Sequence, residues 1–168
     1  MLLPGYTLRT GSGLDRALLV KFMQRTYQEL YPEQDFSHLA LTVEQYFSNK
    51  TPLWWVDLKD EADSTFYPPP FTRHPSPVGC LWVGNAIDQP SGDRHAHIFL
   101  VYVAPEHRRR GIGEALVSHA EAWAKERGDH QIALQVFVQN QPALNLYQKL
   151  GYQTQSLWML KLLQPNQE

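Results

Sequence analysis

Apolar positions along this chain repeat at two different periods, and the changes of period mark its elements. Leu2 to Thr10 reads as a first strand. Ser12 and Asp15 follow at capping-box spacing. They precede a helical stretch in which Leu19, Phe22, Met23, Thr26, Tyr27 and Leu30 share a face, and Pro32 ends it near Tyr31. Thr42 and Gln45 make a second candidate capping box, opening a short helix that carries Val43, Tyr46 and Phe47. Leu53–Leu58 (LWWVDL) reads as a strand, strand character resumes at Val78 (VGCLWVGNAI), and Asp88–Arg94 is a turn. The central strand is His95–Val103 (HAHIFLVYV), where strict alternation puts His95, His97, Phe99, Val101 and Val103 on one face. Helical spacing returns at Ile112, Ala115, Leu116, Ala120 and Trp123, with Gly128 as a stop. Gln131–Val138 (QIALQVFV) is another strand. Pro142 suits the first turn of a helix that aligns Ala143, Leu146, Tyr147 and Leu150 and stops at Gly151. Tyr152–Leu163 closes the chain as a strand or hairpin arm. The order β-α-α-β-β-β-α-β-α-β predicts a mixed α/β (α+β) domain over residues 1–168.

One stretch breaks this pattern. Between Lys59 and Pro77 the chain is irregular, with five prolines from Pro68 to Pro77 that remove amide donors and favour extended geometry. This predicts a long loop inside a hairpin. It either covers an acceptor site, contacts another subunit or is a plain disordered insertion.

Composition narrows the classes. Hydrophobic residues make up 43% of the 168 positions, enough for a globular core. The net charge is −2, from 15 basic and 17 acidic residues. That lacks the basic excess of a general nucleic-acid binder. Cys80 is the single cysteine, so neither an internal disulfide nor a cysteine metal cluster is possible. The opening MLLPGYTLRT has no basic n-region and no long apolar run, and no segment reaches transmembrane length. A soluble, cytoplasmic protein is expected.

Against this balanced background, Arg108, Arg109 and Arg110 stand together beside Gly111 and Gly113, after a strand and before a helix. The first amides of a helix have no partner within it, and the macrodipole makes that end positive. Glycines remove the Cβ atoms that would hold a phosphate away. One helix end contributes roughly 0.3–1 kcal/mol toward an exposed anion, whereas a micromolar ligand needs about 8 kcal/mol. The ligand must therefore present more than one phosphate, or bind elsewhere as well. A diphosphate with a long organic arm does both. The P-loop pattern fails, because Glu114 and Ala115 follow Gly113 in place of Lys and Ser/Thr. The dinucleotide fingerprint fails at Leu116.

What fits is Arg108-x-x-Gly111-x-Gly113, which resembles the (Gln/Arg)-x-x-Gly-x-(Gly/Ala) signature of the GNAT superfamily of N-acetyltransferases. A second stretch, Asn140-x-x-Ala143-x-x-Leu146-Tyr147-x-x-Leu150-Gly151-Tyr152, is similar to that family's later motif. The resemblance covers about Val78 to Leu162 well and the first half loosely. It implies a central, mostly antiparallel mixed sheet flanked by helices, with the strands before the two motifs splaying apart around coenzyme A. It implies acetyl-coenzyme A as co-substrate, no metal, and direct attack by an amine in a ternary complex. Val101, Tyr102 and Val103 match the strand backbone that binds the pantetheine arm. Arg109, Arg110, Gly111, Ile112, Gly113 and Glu114 match the amides that hold the pyrophosphate, with Arg108 at the signature's first place. Asn140 matches a position that often bonds pantetheine, and Tyr147 the tyrosine that commonly protonates the sulfur.

The base is read from the same comparison. Some members carry a glutamate where this chain has Gln135, which takes no proton. Others carry one where this chain has His97, an imidazole well matched to proton transfer at neutral pH. Glu33 or Asp35, acting through water, are alternatives. His107, His119 and His130 read as surface or helix-face residues. A lysine-like amine is neutral at pH 7 about once in 2,500, a cost of roughly 4.6 kcal/mol that a base must offset. The acceptor is expected to be a small-molecule or peptide amine, with no nucleic acid or membrane partner and a homodimer left open. Tyr27, Tyr31, Phe36 and Trp158 either line an aromatic pocket for it or pack the core. Two rivals stand beside this reading: a non-catalytic acyl-coenzyme A sensor, and an acyltransferase for longer acyl groups.

Overall fold

The computed structural model describes residues 4–59 and 77–163. Its elements are β1 (Tyr6–Thr10), α1 (Arg16–Leu30), α2 (Leu39–Tyr46), β2 (Leu53–Leu58), β3 (Gly79–Ile87), β4 (Arg94–Val103), α3 (Ile112–Glu126), β5 (Ile132–Leu134) and α4 (Gln141–Lys149). The strands form one open sheet in the order β1-β2-β3-β4-β5. Every neighbouring pair is antiparallel except β4 with β5, which run parallel. The loop expected at 59–77 joins the antiparallel pair β2 and β3; its residues 60–76 lie outside the described ones.

Both faces of the sheet are covered, which explains the unbroken apolar runs of β2 and β3. On one face, Leu19, Phe22 and Met23 of α1 and Val43 of α2 pack with Trp55, Trp82 and Tyr102. On the other, Ile112, Leu116, Val117 and Ala120 of α3 pack with Val56, Val83 and Ile98. No described helix is long and apolar enough to cross a membrane.

The first capping box forms as expected. Ser12 N donates to Asp15 Oδ2 at 2.7 Å and Leu14 N to Ser12 Oγ at 3.3 Å, opening a 3-10 turn that leads into α1. The second does not. Helix α2 starts at Leu39, ahead of Thr42, and has no side-chain cap. The Asp35 carboxylate accepts from Ser37 N and Ser37 Oγ at 3.0 and 2.7 Å, so the chain reverses earlier. Buried Phe36 and Leu39 then anchor the helix start on the core.

Strand β4 corrects the alternation argument. Trp82 faces Leu100 across the β3–β4 ladder, but Val83 faces Ile98, so Phe99 is a bulge without a partner. One inserted residue reverses the faces. Ala96 and Ile98 pack with the α3 side, while Leu100 and Tyr102 pack with the α1–α2 side. Phe99 therefore lies toward α1 and α2, whereas Val101 and Val103 pack toward α3. The five residues expected on one face are divided by the bulge.

Two strand expectations are also revised. Only Ile132–Leu134 of the stretch 131–138 is strand, pairing with Ala96–Ile98. Beyond Leu134 it has left β4, and a strand without a neighbour forms no ladder. Tyr152–Leu163 forms no strand, and its Leu157, Met159 and Leu162 stay exposed.

Gly84 pairs with His97 beside the bulge, and a Cβ there would overlap the Phe99 ring. Gly84→Ala should displace Phe99 and cost about 1–3 kcal/mol of stability. Urea denaturation of the two proteins measures this; an unchanged midpoint would contradict the packing.

Candidate active site

The turn after β4 is built by backbone conformation. A short 3-10 turn, Pro105–His107, leads into the arginines. Arg109 has φ 61° and Gly111 has φ 84°, both left-handed. Gly111 adopts this freely and Arg109 at some cost. Left-handed residues among ordinary ones turn successive N–H groups toward a common concave side. Among the described residues, no carbonyl or side chain accepts from the amides of Arg109 through Glu114. The first amide of this region with an acceptor is Ala115 N, bonded to Gly111 O at 3.0 Å.

The three arginines divide their work. Arg108 donates through Nε to Val103 O at 2.8 Å and through Nη2 to both carboxylate oxygens of Glu29 at 2.6 and 2.7 Å, with its guanidinium 5.7 Å from the Tyr102 ring. It ties α1 to the end of β4. Arg110 donates to Tyr6 Oη and Glu106 O, each at 3.1 Å, bracing the turn against β1. Arg109 is exposed and has no side-chain partner among the described residues. Gly113 has a further duty: a Cβ there would stand 3.3 Å from Leu146 Cδ2, so glycine lets α4 approach α3. Lys149 Nζ donates to Glu114 Oε2 at 2.6 Å, joining the same two helices.

A cleft opens where β5 leaves β4. The two strands pair only over Ala96–Ile98 of β4, so among the described residues the β4 edge from Phe99 to Val103 has no strand neighbour on that side. Val101, Leu134, Val136, Asn140 and Tyr147 line the gap. Asn140 caps α4, its Oδ1 accepting from Ala143 N at 3.3 Å, which leaves its Nδ2 toward other partners. Tyr147 is half-buried, and burial pushes its hydroxyl up to about 12. The phenol therefore keeps its proton at neutral pH.

A second cleft of ≈ 750 Å³ lies on the α1–α2 side. All four residues expected of an aromatic pocket, Tyr27, Tyr31, Phe36 and Trp158, line it, together with His97. The clefts meet: Tyr27, Phe99, Gln135 and Phe137 line both. Tyr147 stands in the first and His97 in the second. Burial, then the nearby His95, holds the His97 imidazole below its usual range, so it is neutral at pH 7. Glu33 and Asp35 line neither cleft, and the bonds from Ser37 hold the Asp35 carboxyl below the usual carboxylate range.

Several contacts lay outside sequence reasoning. Glu29 anchors Arg108 from a distant helix, and nothing in its local pattern announces it. Phe99 gains its place between the clefts from the bulge. Two of the histidines read as surface or helix-face residues make specific contacts: His107 Nδ1 bonds Tyr6 Oη at 3.0 Å, and the ring of His119, on the face of α3, packs edge-on at 4.7 Å from Trp54. His130 is exposed, as expected. Among the described residues, no group of three or more His, Cys, Asp or Glu is placed to hold a metal.

Comparison with known proteins agrees with this geometry. The chain is 35% identical over 82 residues to an uncharacterised N-acetyltransferase of Methanocaldococcus jannaschii, a match covering 46% of this chain and 34% of that protein. It is 42% identical over 52 residues to streptothricin acetyltransferase of Streptomyces lavendulae, covering 31% and 28% respectively. The matched region thus spans about a third of the length of these relatives. Among solved structures, a Clostridium acetobutylicum acetyltransferase crystallised with acetyl-CoA superposes with a TM-score of 0.71 at 19% identity, over 94% of this chain and 96% of that one. The sequence model of the acetyltransferase (GNAT) family matches residues 19–152, from within α1 through both motifs to the end of α4. That span takes in the arginine turn, the first cleft and the second cleft's wall apart from Trp158 and Leu160, and the chain belongs to the GNAT acetyltransferase family.

Proposed function

We propose that this protein transfers acetyl from acetyl-CoA to the primary amine of an acceptor, by direct attack while both are bound. The observation that carries this reading is the run of amides from Arg109 to Glu114 with no acceptor among the described residues, set beside the unpaired edge of β4. Backbone amides left without partners are costly away from water, and a diphosphate supplies the acceptors. Arg109, without a side-chain partner among the described residues, adds charge at the mouth. The edge from Val101 through Tyr102 to Val103, where Val103 O already accepts from Arg108 Nε, offers its remaining backbone groups to an amide-bearing arm, as an added strand would use them. Arg108 and Arg110 serve by holding the turn rather than by reaching into it.

The chemistry divides between the two clefts. The amine nitrogen forms a bond to the thioester carbon as the C–S bond breaks. His97, neutral at pH 7, takes the amine's proton. Tyr147, protonated until about 12, gives its hydroxyl proton to the departing sulfur. Gln135, where the clefts meet, takes no proton; of the two imidazoles in the second cleft's wall, His97 and His38, His97 is the one 5.6 Å from Phe99, which borders both clefts.

Calorimetric titration with acetyl-CoA tests the reading. Gly113→Glu places a carboxylate beside the free amides and should abolish binding. Because a side chain there also presses on Leu146, Arg109→Glu serves as the second variant and should weaken binding roughly tenfold. Undiminished affinity in both would refute the phosphate turn.

Thiol-release kinetics test the two side chains. His97→Ala should lower kcat/KM by about 10²-fold. The accepting imidazole is present above its folded pKa, which burial sets below 6.5, so the wild-type rate should rise with pH through that lower range. The variant should lose this acidic limb; an unaltered limb removes His97 from the mechanism. Tyr147→Phe should lower kcat by about 10²-fold. With its hydroxyl at about 12, Tyr147 should contribute no basic limb in profiles run to pH 10.

A further inference from the structure

The wall of the second cleft carries no Asp, Glu, Lys or Arg among the described residues. It is built mainly of aromatic faces. The Tyr27 and Phe36 rings stack at 5.5 Å, and Phe137 stands edge-on to Tyr27 at 6.2 Å and to Tyr31 at 6.0 Å. Trp158 closes another side from the segment after α4, with 74% of its surface still exposed and available to an apolar partner. Two carboxylates of the adjoining segments are engaged elsewhere: Glu29 with Arg108, and Asp35 with Ser37. The Tyr31 hydroxyl already accepts from Gln139 Nε2 at 2.8 Å.

We propose that the acceptor held in this cleft is a monoamine on a flat apolar body, an arylalkylamine by chemical class. The inference rests on the acetyl-transfer reading above and deepens it. A ring fills an aromatic slot by stacking and edge contacts. One ammonium is tolerated at the aromatic faces through cation–π attraction and is discharged at His97. A second ammonium would sit against a wall that carries no carboxylate among the described residues, losing hydration without a partner. Polyamines and aminoglycosides are disfavoured on that ground. The volume, ≈ 750 Å³, admits a one- or two-ring amine.

The test uses the full chain with acetyl-CoA and thiol detection. Tryptamine and 2-phenylethylamine are compared with butylamine, spermidine, kanamycin A and glycine, and acetyl-CoA binding is measured separately by calorimetry. The expected result is a kcat/KM at least tenfold higher for the two aryl amines than for any other probe. Trp158→Ala, at an exposed position, should raise the KM for tryptamine roughly tenfold while kcat stays within about twofold. Gln34→Glu, which puts a carboxylate into the wall at constant shape, should raise kcat/KM for spermidine roughly threefold to fivefold. Preference for spermidine, kanamycin A or glycine in a protein that binds acetyl-CoA would overturn the acceptor class and leave the acetyl-transfer reading standing. Bound acetyl-CoA with no turnover of either aryl amine would overturn it equally. Failure to bind acetyl-CoA would remove both.

Discussion

Everything at the centre of this molecule follows from a parallel pairing that stops early. Strand β4 runs to Val103, yet its bonds to β5 end at Ile98. A strand edge must place its N–H and C=O groups somewhere, in a neighbour, in water or in a ligand. By parting after Leu134, the two strands leave an edge that continues directly into the arginine turn, where six successive amides also lack acceptors among the described residues. The cleft and the turn are two stretches of one backbone deficit. A ligand that bonds along a strand and ends in paired phosphates matches both stretches together, which is stronger support than either gives alone.

The charges around this deficit are spent mostly on architecture. Arg108 spans Val103, Glu29 and the Tyr102 ring; Arg110 spans β1 and the turn. The Arg108–Glu29 pair is about two-fifths exposed on each side, so its own stabilisation is at most about 1 kcal/mol. Its larger effect is positional. It fixes α1, whose Tyr27 borders both clefts, relative to the turn at the end of β4. A basic triplet that reads as one electrostatic patch in sequence thus resolves into two braces and a third arginine with no side-chain partner among the described residues.

The parts of this structure legible in the sequence were the ones set by neighbours along the chain. The Ser12–Asp15 cap, the arginine–glycine turn, the stop at Gly128 and the placement of Tyr147 and Asn140 all depend on spacings of a few residues. The bulge at Phe99 was not legible, because it arises from the register against β3, and alternation within β4 alone cannot carry that information. The same limit explains the early start of α2, where a turn at Asp35 and the burial of Phe36 outweighed the Thr42–Gln45 spacing. It explains the strands expected at 131–138 and 152–163, whose β-branched and aromatic content is real while no described residue supplies a ladder partner over most of their length. The aromatic pocket was legible as a set of residues and undecided as a site. Its resolution needed the bulge, which turns Phe99 toward α1 and α2.

The bulge also bears on which base suits this site. A carboxylate at position 97 would face an aromatic wall without a cationic partner, and burial would raise its pKa and favour the protonated form. The same burial acts on an imidazole in the opposite sense: it favours the neutral form, which is the form that accepts a proton. In a cleft whose described wall carries no Asp, Glu, Lys or Arg, histidine is therefore the residue whose desolvation agrees with the proposed task of a base. The scarcity of acidic and basic side chains among those residues, the proposed base at position 97 and the proposed kind of amine are on this argument a single physical choice.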